Sequence, residues 1–282
     1  MRALRSRVLV ALDQSGVAAA AVSGALSAPR IRSFACAPLG PGALRPGPLD
    51  PNLARPREVE EALAQVAREV EGGRGPVSLI LPEGVARTVL LDVPPGVDAR
   101  DFARYRLAPG LPYGGEEAVV DVLALPGGRA LASAVRRVIV EGYEAAAEAA
   151  GLELERLDLA PLAALSALAR EPRGTAPSVD VILGDHALSL AAWHGDLLRV
   201  FRTRLRDAGA GEAAWLAREI DRTAAQAGNG GEPRLRVVGP GAAALRRAWR
   251  DGGRDAEPGW SADGGLPVDA AELAWLGGAL GR

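Results

Sequence analysis

RVLVALDQSGVAAAAV, residues 7–22, predicts a β-hairpin close to the start of the chain. The apolar run 8–12 is typical of a buried strand, and Asp13-Gln14-Ser15-Gly16 supplies the turn residues that end it. Residues 17–22 continue as a second strand. The segment 30–36 alternates polar with apolar side chains, which predicts a third strand beside the hairpin.

The second half of the chain repeats this plan. Strands are predicted over 179–183, 188–193 and 197–202, and in each half helical periodicity follows the three strands. Such a duplication predicts an α/β protein with two lobes, each with a mixed sheet and flanking helices. We expect a first lobe over 1–173, with an inserted subdomain at about 40–135, and a reduced second lobe over 174–282 that ends in a helix over 270–280.

Composition excludes several classes of function. The formal net charge is −2 and the pI is near 5.9, so the basic excess of a nucleic-acid-binding protein is absent and we expect no nucleic-acid partner. Every basic side chain is Arg, which excludes a Schiff-base or phosphate-binding lysine. With one cysteine and two histidines, the sequence predicts neither a disulfide nor a metal site. We expect Cys36 to be a buried, inert thiol.

Hydropathy predicts a cytoplasmic chain. No apolar run reaches the length of a membrane span, and the basic start at residues 1–7 is not followed by a secretion signal. The Pro- and Gly-rich segment 38–56 predicts a solvated loop. The five tryptophans all lie in the second half, where core packing is the expected role.

Three turns form a pattern that resembles the actin, sugar kinase and Hsp70 superfamily. They are Asp13-Gln14-Ser15-Gly16, Gly184-Asp185 and Gly239-Pro240-Gly241. The resemblance implies an actin-like, ribonuclease H-like fold in which the first two turns hold nucleotide phosphates and the glycine pair holds adenosine. It implies ATP and magnesium as cofactors, with Asp13, Gln14, Ser15, Gly16, Gly184, Asp185, Gly239 and Gly241 as the binding residues. An aspartate at position 13 is equally explained by the turn alone.

Within that superfamily, the chain resembles PilM of type IV pilus assembly and the cytoplasmic part of GspL of type II secretion. Passages along nearly the whole chain carry the resemblance, among them Leu79-Ile80-Leu81-Pro82, Leu111-Pro112-Tyr113 with Glu116-Glu117, Val140-Glu141-Gly142-Tyr143, Phe201-Arg202 and the end Leu276-Gly277-Gly278. It implies an assembly scaffold whose first lobe binds the cytoplasmic tail of an inner-membrane partner, PilN-like or GspM-like, in a groove near 79–93 and 98–113. The partner would hold the chain at the inner membrane; a homodimer is left open.

Departures from the superfamily pattern determine the prediction about catalysis. The first turn has no Gly-Ser-Ser run and no following lysine, and the acid expected two residues before Gly184 is Ile182. We therefore predict a pseudo-ATPase scaffold with a degenerate cleft and assign no catalytic residue. The alternative is a divergent ATPase or sugar kinase, whose base would be Asp180 or Asp185 because they flank the turn.

Overall fold

A computed structural model describes residues 3–25, 28–169, 175–184, 187–206, 212–228, 233–239, 242–251 and 256–258. Its strands are β1 (Ala3–Leu12), β2 (Gly16–Ala25), β3 (Ala28–Pro38), β4 (Pro76–Leu81), β5 (Ala86–Asp92), β6 (Ala118–Leu125), β7 (Arg129–Arg136), β8 (Glu153–Leu159), β9 (Pro177–Leu183), β10 (Ala187–His194), β11 (Leu197–Leu205), β12 (Arg234–Val238) and β13 (Ala256–Pro258). Its helices are α1 (Pro56–Glu69), α2 (Ala99–Leu107), α3 (Arg137–Ala149), α4 (Ala160–Leu168), α5 (Glu212–Gln226) and α6 (Ala242–Asp251).

Two five-stranded sheets share one topology. The first sheet has the order β3-β2-β1-β4-β8, and the second sheet has the order β11-β10-β9-β12-β13. In each, three antiparallel strands form a meander whose first strand pairs in parallel with the next strand of the sheet. The duplication predicted from the sequence is therefore present in the strand order.

Both faces of the first sheet are buried, which explains the uninterrupted apolar run in β1. Val8, Val10 and Leu12 face the core that α1 and α3 cover, while Leu9 faces the opposite side together with Ala163 of α4. Alternate residues of a strand point to opposite faces, so only a strand buried on both sides needs every residue apolar. In the second sheet α5 and α6 cover the corresponding face, with Leu216, Ile220 and Trp249 in the core.

The Pro- and Gly-rich segment 38–56 is packed against the first core, which corrects the prediction of a solvated loop. Ala43 and Leu44 are fully buried, and Leu44 forms a β-bridge with Leu53. The Asn52 side chain donates to the carbonyls of Gly47 and Asp50 and accepts from the Tyr143 hydroxyl. Local composition identified the turns in this segment but not the apolar side chains that anchor it.

Cys36 is exposed, so the prediction of a buried thiol was wrong. It lies on β3, an edge strand of the first sheet, where Ala35 and Ala37 point into the core and Cys36 points out. The tryptophan prediction is confirmed for Trp193 and Trp249, which are buried. Trp260, Trp275 and the predicted terminal helix lie outside the described residues.

A small sheet, with the order β5-β7-β6, is inserted between β4 and α3. One face packs on α2 through Ala103, Leu107 and Val120. Asp98 precedes α2 and caps it. Its carboxylate accepts hydrogen bonds from the backbone N–H groups of Arg100 and Asp101. The predicted insertion at about 40–135 also included α1 and β4, which belong to the layers of the first sheet. The boundaries of the two lobes stay a prediction.

One apolar cluster joins the small sheet, α4 and the second sheet. Leu131 of β7 and Leu168 of α4 pack with Trp193 and Phe201 of the second half. Two arginines add polar contacts across the same boundary: Arg129 donates to the Leu198 carbonyl, and Arg236 donates to the Leu168 carbonyl at 3.2 Å. The two halves of the chain therefore share part of their core.

Candidate functional site

The first predicted phosphate turn is closed by its own aspartate. Asp13 Oδ1 accepts from Ser15 N at 2.7 Å, Ser15 Oγ at 2.6 Å and Gly16 N at 2.9 Å. An aspartate at the start of a tight turn commonly makes these bonds to the backbone that follows. Gln14 lies partly exposed at the tip. The local hydrogen bonds account for Asp13 without a ligand.

Gly16 is required by its neighbour on β3. A side chain at this position would bring its Cβ atom to 2.7 Å from the Ala37 carbonyl oxygen, closer than carbon and oxygen approach without a bond. This glycine therefore allows β2 and β3 to pair next to the turn, and its presence does not need a phosphate to explain it.

The second predicted turn faces an acidic side chain from the first half. Gly184 donates its N–H to the Ala187 carbonyl at 2.8 Å, and a Cβ atom built on Gly184 would lie 2.1 Å from Oε2 of Glu83. Glu83 follows β4, so the turn after β4 lies directly against the turn after β9. Asp185 and His186 lie outside the described residues.

Arg206 is a cation that binds the second turn. Its Nη1 donates to the Gly184 carbonyl at 2.6 Å, and its Nε donates to Glu212 Oε1 at 2.5 Å. Its guanidinium thus already binds a backbone carbonyl and a carboxylate, and it holds the turn against the start of α5.

Gly239 follows β12 and has a backbone conformation that favours glycine. Its φ is 109°, and an added Cβ atom would lie 2.0 Å from the Leu183 carbonyl oxygen. Its carbonyl accepts from Ala242 N at the start of α6. Gly241, the other glycine of the predicted adenosine pair, lies outside the described residues.

Strand pairing brings these turns to one end of the two sheets. Ala11 of β1 lies beside Ile80 of β4 in a parallel pair, so Asp13 and Glu83 follow neighbouring strands in the same direction. Glu83 contacts Gly184, and Gly239 contacts Leu183. The sequence predicted the three turns but missed Glu83, because its importance comes from a contact with the other half of the chain.

Asp180 is occupied by an ion pair in the core of the second half. It is fully buried and accepts two hydrogen bonds from Arg236, Nε to Oδ1 at 2.6 Å and Nη2 to Oδ2 at 2.7 Å. A catalytic base must reach the proton that it removes. Asp180, one of the two bases considered for a kinase, is therefore committed to Arg236.

A cavity of about 320 Å³ lies between the small sheet and the first sheet, and none of its described lining residues belongs to these turns. Val119, Asp121 and Leu123 of β6 form one wall, and Leu157, Asp158 and Leu159 of β8 form another; α4 contributes Leu162, Ala163 and Ser166. Both β6 and β8 are edge strands of their sheets. The volume is at the lower end of the range for ligand sites.

Two carboxylates are the charged groups among the described residues that line this cavity. Asp121 pairs with Arg100 at 2.7 Å on the surface, where both side chains are more than half exposed. Asp158 pairs with Arg156 at 2.7 Å and is three-quarters buried. Burial raises the pKa of Asp158; Arg156 and Arg7 oppose that increase and the Asp121 charge adds to it.

The segments predicted to form a tail-binding groove meet this cavity at one residue. Leu81 lines it, whereas α2, in the segment 98–113, packs on the opposite face of the small sheet. The residues that form the walls come from β6, β8 and α4, which are far apart in sequence, so no local pattern marks them.

The described part of the chain has neither a cluster of metal-binding side chains nor a helix suited to span a membrane. It holds no group of three or more His, Cys, Asp or Glu side chains that could bind a metal ion. None of its helices combines the length and apolar character needed to cross a bilayer.

Searches with the sequence find no relative: no protein-family model matches, and neither does any curated protein. Solved structures do match. One is a PilM-PilN type IV pilus biogenesis complex, with 18% identity, a TM-score of 0.73 and coverage of 97% of this chain and 99% of that one. Another is the cytoplasmic domain of EpsL, an inner-membrane component of the type II secretion system of Vibrio cholerae, with 13% identity, a TM-score of 0.57 and coverage of 99% and 96%.

A third match is a protein of unknown function with an actin-like ATPase fold from Bacteroides thetaiotaomicron. It has 9% identity and a TM-score of 0.63, and covers 97% of this chain and 96% of that one. At these identities the likeness shows the fold. The chain has the actin-like ATPase fold, and the resemblance to PilM and to a type II secretion cytoplasmic domain is confirmed at that level.

Proposed function

We propose that this chain is a scaffold of an inner-membrane type IV pilus or type II secretion assembly that binds the cytoplasmic tail of a membrane partner. The observation that carries the proposal is the cavity between β6 and β8, which is open, mostly apolar and lined by described residues outside the predicted nucleotide turns. A partner of the PilN or GspM kind would hold the chain at the cytoplasmic face of the inner membrane. The similarity to a PilM-PilN complex over nearly the full chain supports this role.

The described residues of the predicted nucleotide site fit ATP and magnesium poorly. Phosphate oxygens are bound by backbone N–H groups and cations, and magnesium by carboxylate oxygens that are free to coordinate it. Here Glu83 lies against Gly184, Arg206 already binds Glu212, and Asp13 Oδ1 accepts three bonds from its own turn. We therefore propose a pseudo-ATPase and derive no reaction step through nucleotide.

Calorimetry with ATP and magnesium tests the proposed loss of nucleotide binding. We expect no saturable heat with the wild-type chain, because the Glu83 side chain fills the space beside Gly184 and Arg206 is already bound to Glu212. Saturable binding that Asp13→Ala abolishes would contradict this and favour the divergent ATPase or sugar kinase.

Tail docking is tested by fluorescence anisotropy. The probes are labelled peptides with the cytoplasmic tail sequences of PilN-like and GspM-like membrane proteins from the source organism. Leu123, 46% exposed on β6, lines the cavity; Leu197, 39% exposed on β11, is a matched leucine elsewhere. We expect Leu123→Arg to weaken binding at least tenfold, because a charged side chain then enters an apolar wall, and Leu197→Arg to leave it unchanged. Equal affinities of wild type and both variants for the peptide would mean that the tail does not bind in the cavity.

A further inference from the structure

Strand β6 offers an open backbone edge beside the cavity. It pairs with β7 on one side, and among the described strands none pairs with its other side. Leu123 and Ala124 are exposed on this edge. An edge strand presents a row of backbone N–H and C=O groups that an extended segment can pair with.

The two faces of β6 have different surroundings. Val119, Asp121 and Leu123 line the cavity, and Ala118 and Val120 pack on the side of α2. Val122 borders both, because it lines the cavity and also packs against the α2 cluster. A strand added beside β6 would continue this alternation, since neighbouring strands share the pleat of the sheet. Every second side chain of the added strand would therefore enter the cavity, and the side chains between would stay outside it.

The charge of the cavity determines what the added strand must carry. Asp121 and Asp158 line it and repel each other, and each has an arginine beside it outside the lining: Arg100 at 2.7 Å from Asp121 and Arg156 at 2.7 Å from Asp158. A strand laid over them would displace their water, a cost that a positive side chain between them offsets. The exposed Asp121–Arg100 pair contributes little and exchanges readily. Short cytoplasmic segments beside membrane spans are rich in Lys and Arg.

We propose that the partner's tail adds to the small sheet as a strand beside β6, with alternate apolar side chains in the cavity and one Lys or Arg between Asp121 and Asp158. This inference rests on the proposed function and specifies how the tail is recognised. Backbone pairing provides the affinity, and the cavity with its two carboxylates selects the sequence.

Backbone pairing is tested with the tail peptide and a series of its analogues, each N-methylated at one amide. A methyl group removes one hydrogen-bond donor and blocks the approach of the strand. We expect methylation at alternate residues to weaken binding about tenfold or more and methylation at the residues between to leave it unchanged. In hydrogen exchange, alternate amides of β6 should become protected when the unmodified peptide binds.

The predicted cation is tested by a double-mutant cycle. Asp158→Asn should weaken binding of the natural peptide about tenfold. It should leave unchanged the affinity for a peptide whose Lys and Arg are replaced by norleucine. Asp196→Asn, at an exposed turn of the second half, is the control and should change neither affinity. Equal effects of Asp158→Asn on both peptides would overturn the assignment of the cation.

The outcomes separate the inference from the function on which it rests. Binding to wild type without alternation in the N-methyl series overturns strand addition while the scaffold proposal stands. If no tail peptide binds the wild-type chain, both are overturned.

Discussion

At the residue scale, the second half shows how an aspartate of the predicted active site becomes part of the core. Asp180 is buried with Arg236, whose guanidinium makes two bonds to the carboxylate and one to the Leu168 carbonyl of the first half. Removing one member of such a pair would leave a buried charge uncompensated, which costs several kcal/mol. The Asp180–Arg236 pair thus links the second sheet to α4. Both carboxylate oxygens of Asp180 are bound by Arg236 and do not face a substrate site.

Asp158 has the opposite character, because its environment favours the neutral acid. Burial raises the pKa of Asp158, so between the ordinary aspartate pKa of about 3.9 and the raised value the folded chain binds more protons than the unfolded chain. In that window the free energy of unfolding falls as pH rises. Above the window the ionised group lowers stability, a cost typical of binding residues.

We expect Asp158→Asn to raise the free energy of unfolding at pH 7, because the amide resembles the neutral acid. The gain over wild type should shrink as pH falls through this window and disappear below about 3, where the folded and the unfolded wild-type chains both hold the proton. Urea unfolding across this pH range measures it. A variant less stable than wild type throughout would mean that the Arg156 ion pair outweighs the cost of burial.

At the element scale, close approaches of backbone determine where turns end and strands begin. Gly239 combines a φ of 109° with a Cβ position 2.0 Å from the Leu183 carbonyl oxygen, so any side chain there would separate the ends of β12 and β9. Gly151 also has a positive φ, 73°, but its Cβ position meets no atom within 4 Å. A comparison of these two glycines therefore distinguishes the energetic cost of a positive φ from the cost of a steric clash.

Gly239→Ala should therefore lower the free energy of unfolding by roughly 2–6 kcal/mol, the sum of backbone strain and steric collision. Gly151→Ala should cost about 1–2 kcal/mol, the left-handed conformation alone. Denaturant unfolding of both variants gives the comparison. Similar losses would show that β12 and β9 can move apart without cost.

The sequence predicted most elements because their signals are local. The run 8–12 identified β1, and the alternation in 30–36 identified β3. Whether a residue on an edge strand is buried is not a local signal, because it depends on which strands pair in the folded sheet. Cys36 was placed in the core from its apolar neighbours, yet β3 has no described strand on one side, and its outward residues stay exposed.

The candidate site was predictable only in part, for the same reason. Turn residues such as Asp13, Gly184 and Gly239 are recognisable from composition. Glu83 acquires its role from a contact with the other half, and the cavity forms from β6, β8 and α4, whose separate sequences contain ordinary strand and helix patterns. Pairing between distant segments creates both features, so a reading of local periodicity does not find them.

At the scale of the whole molecule, the two repeated sheets are joined by a shared apolar cluster. Leu131, Leu168, Trp193 and Phe201 belong to it, and they come from the small sheet, α4 and the second sheet. Neither half buries these side chains alone. A fold divided by a cleft would be expected to hinge, whereas this contact holds the small sheet on the second half and favours one rigid binding surface.

Phe201→Ala should lower the free energy of unfolding by about 3–5 kcal/mol and shift the unfolding of both halves together. All tryptophans lie in the second half, so their fluorescence reports that half, while far-ultraviolet circular dichroism reports the helices of both. The two transitions should coincide in wild type and in the variant.

Leu205→Ala, on the same strand but 78% exposed, provides the control and should change stability little. If Phe201→Ala moved the fluorescence transition alone, the halves would unfold independently and the shared cluster would not couple them.

The shared cluster also imposes an order on biosynthesis. The ribosome releases α4 well before the second sheet, and Leu168 cannot be covered until strands up to Val238 have emerged. At 5–20 residues per second, the chain between these positions takes roughly 4–14 s to synthesise. During that interval the nascent first half carries an uncovered apolar surface. We therefore expect chaperones that act on the ribosome to bind the nascent first half during that interval.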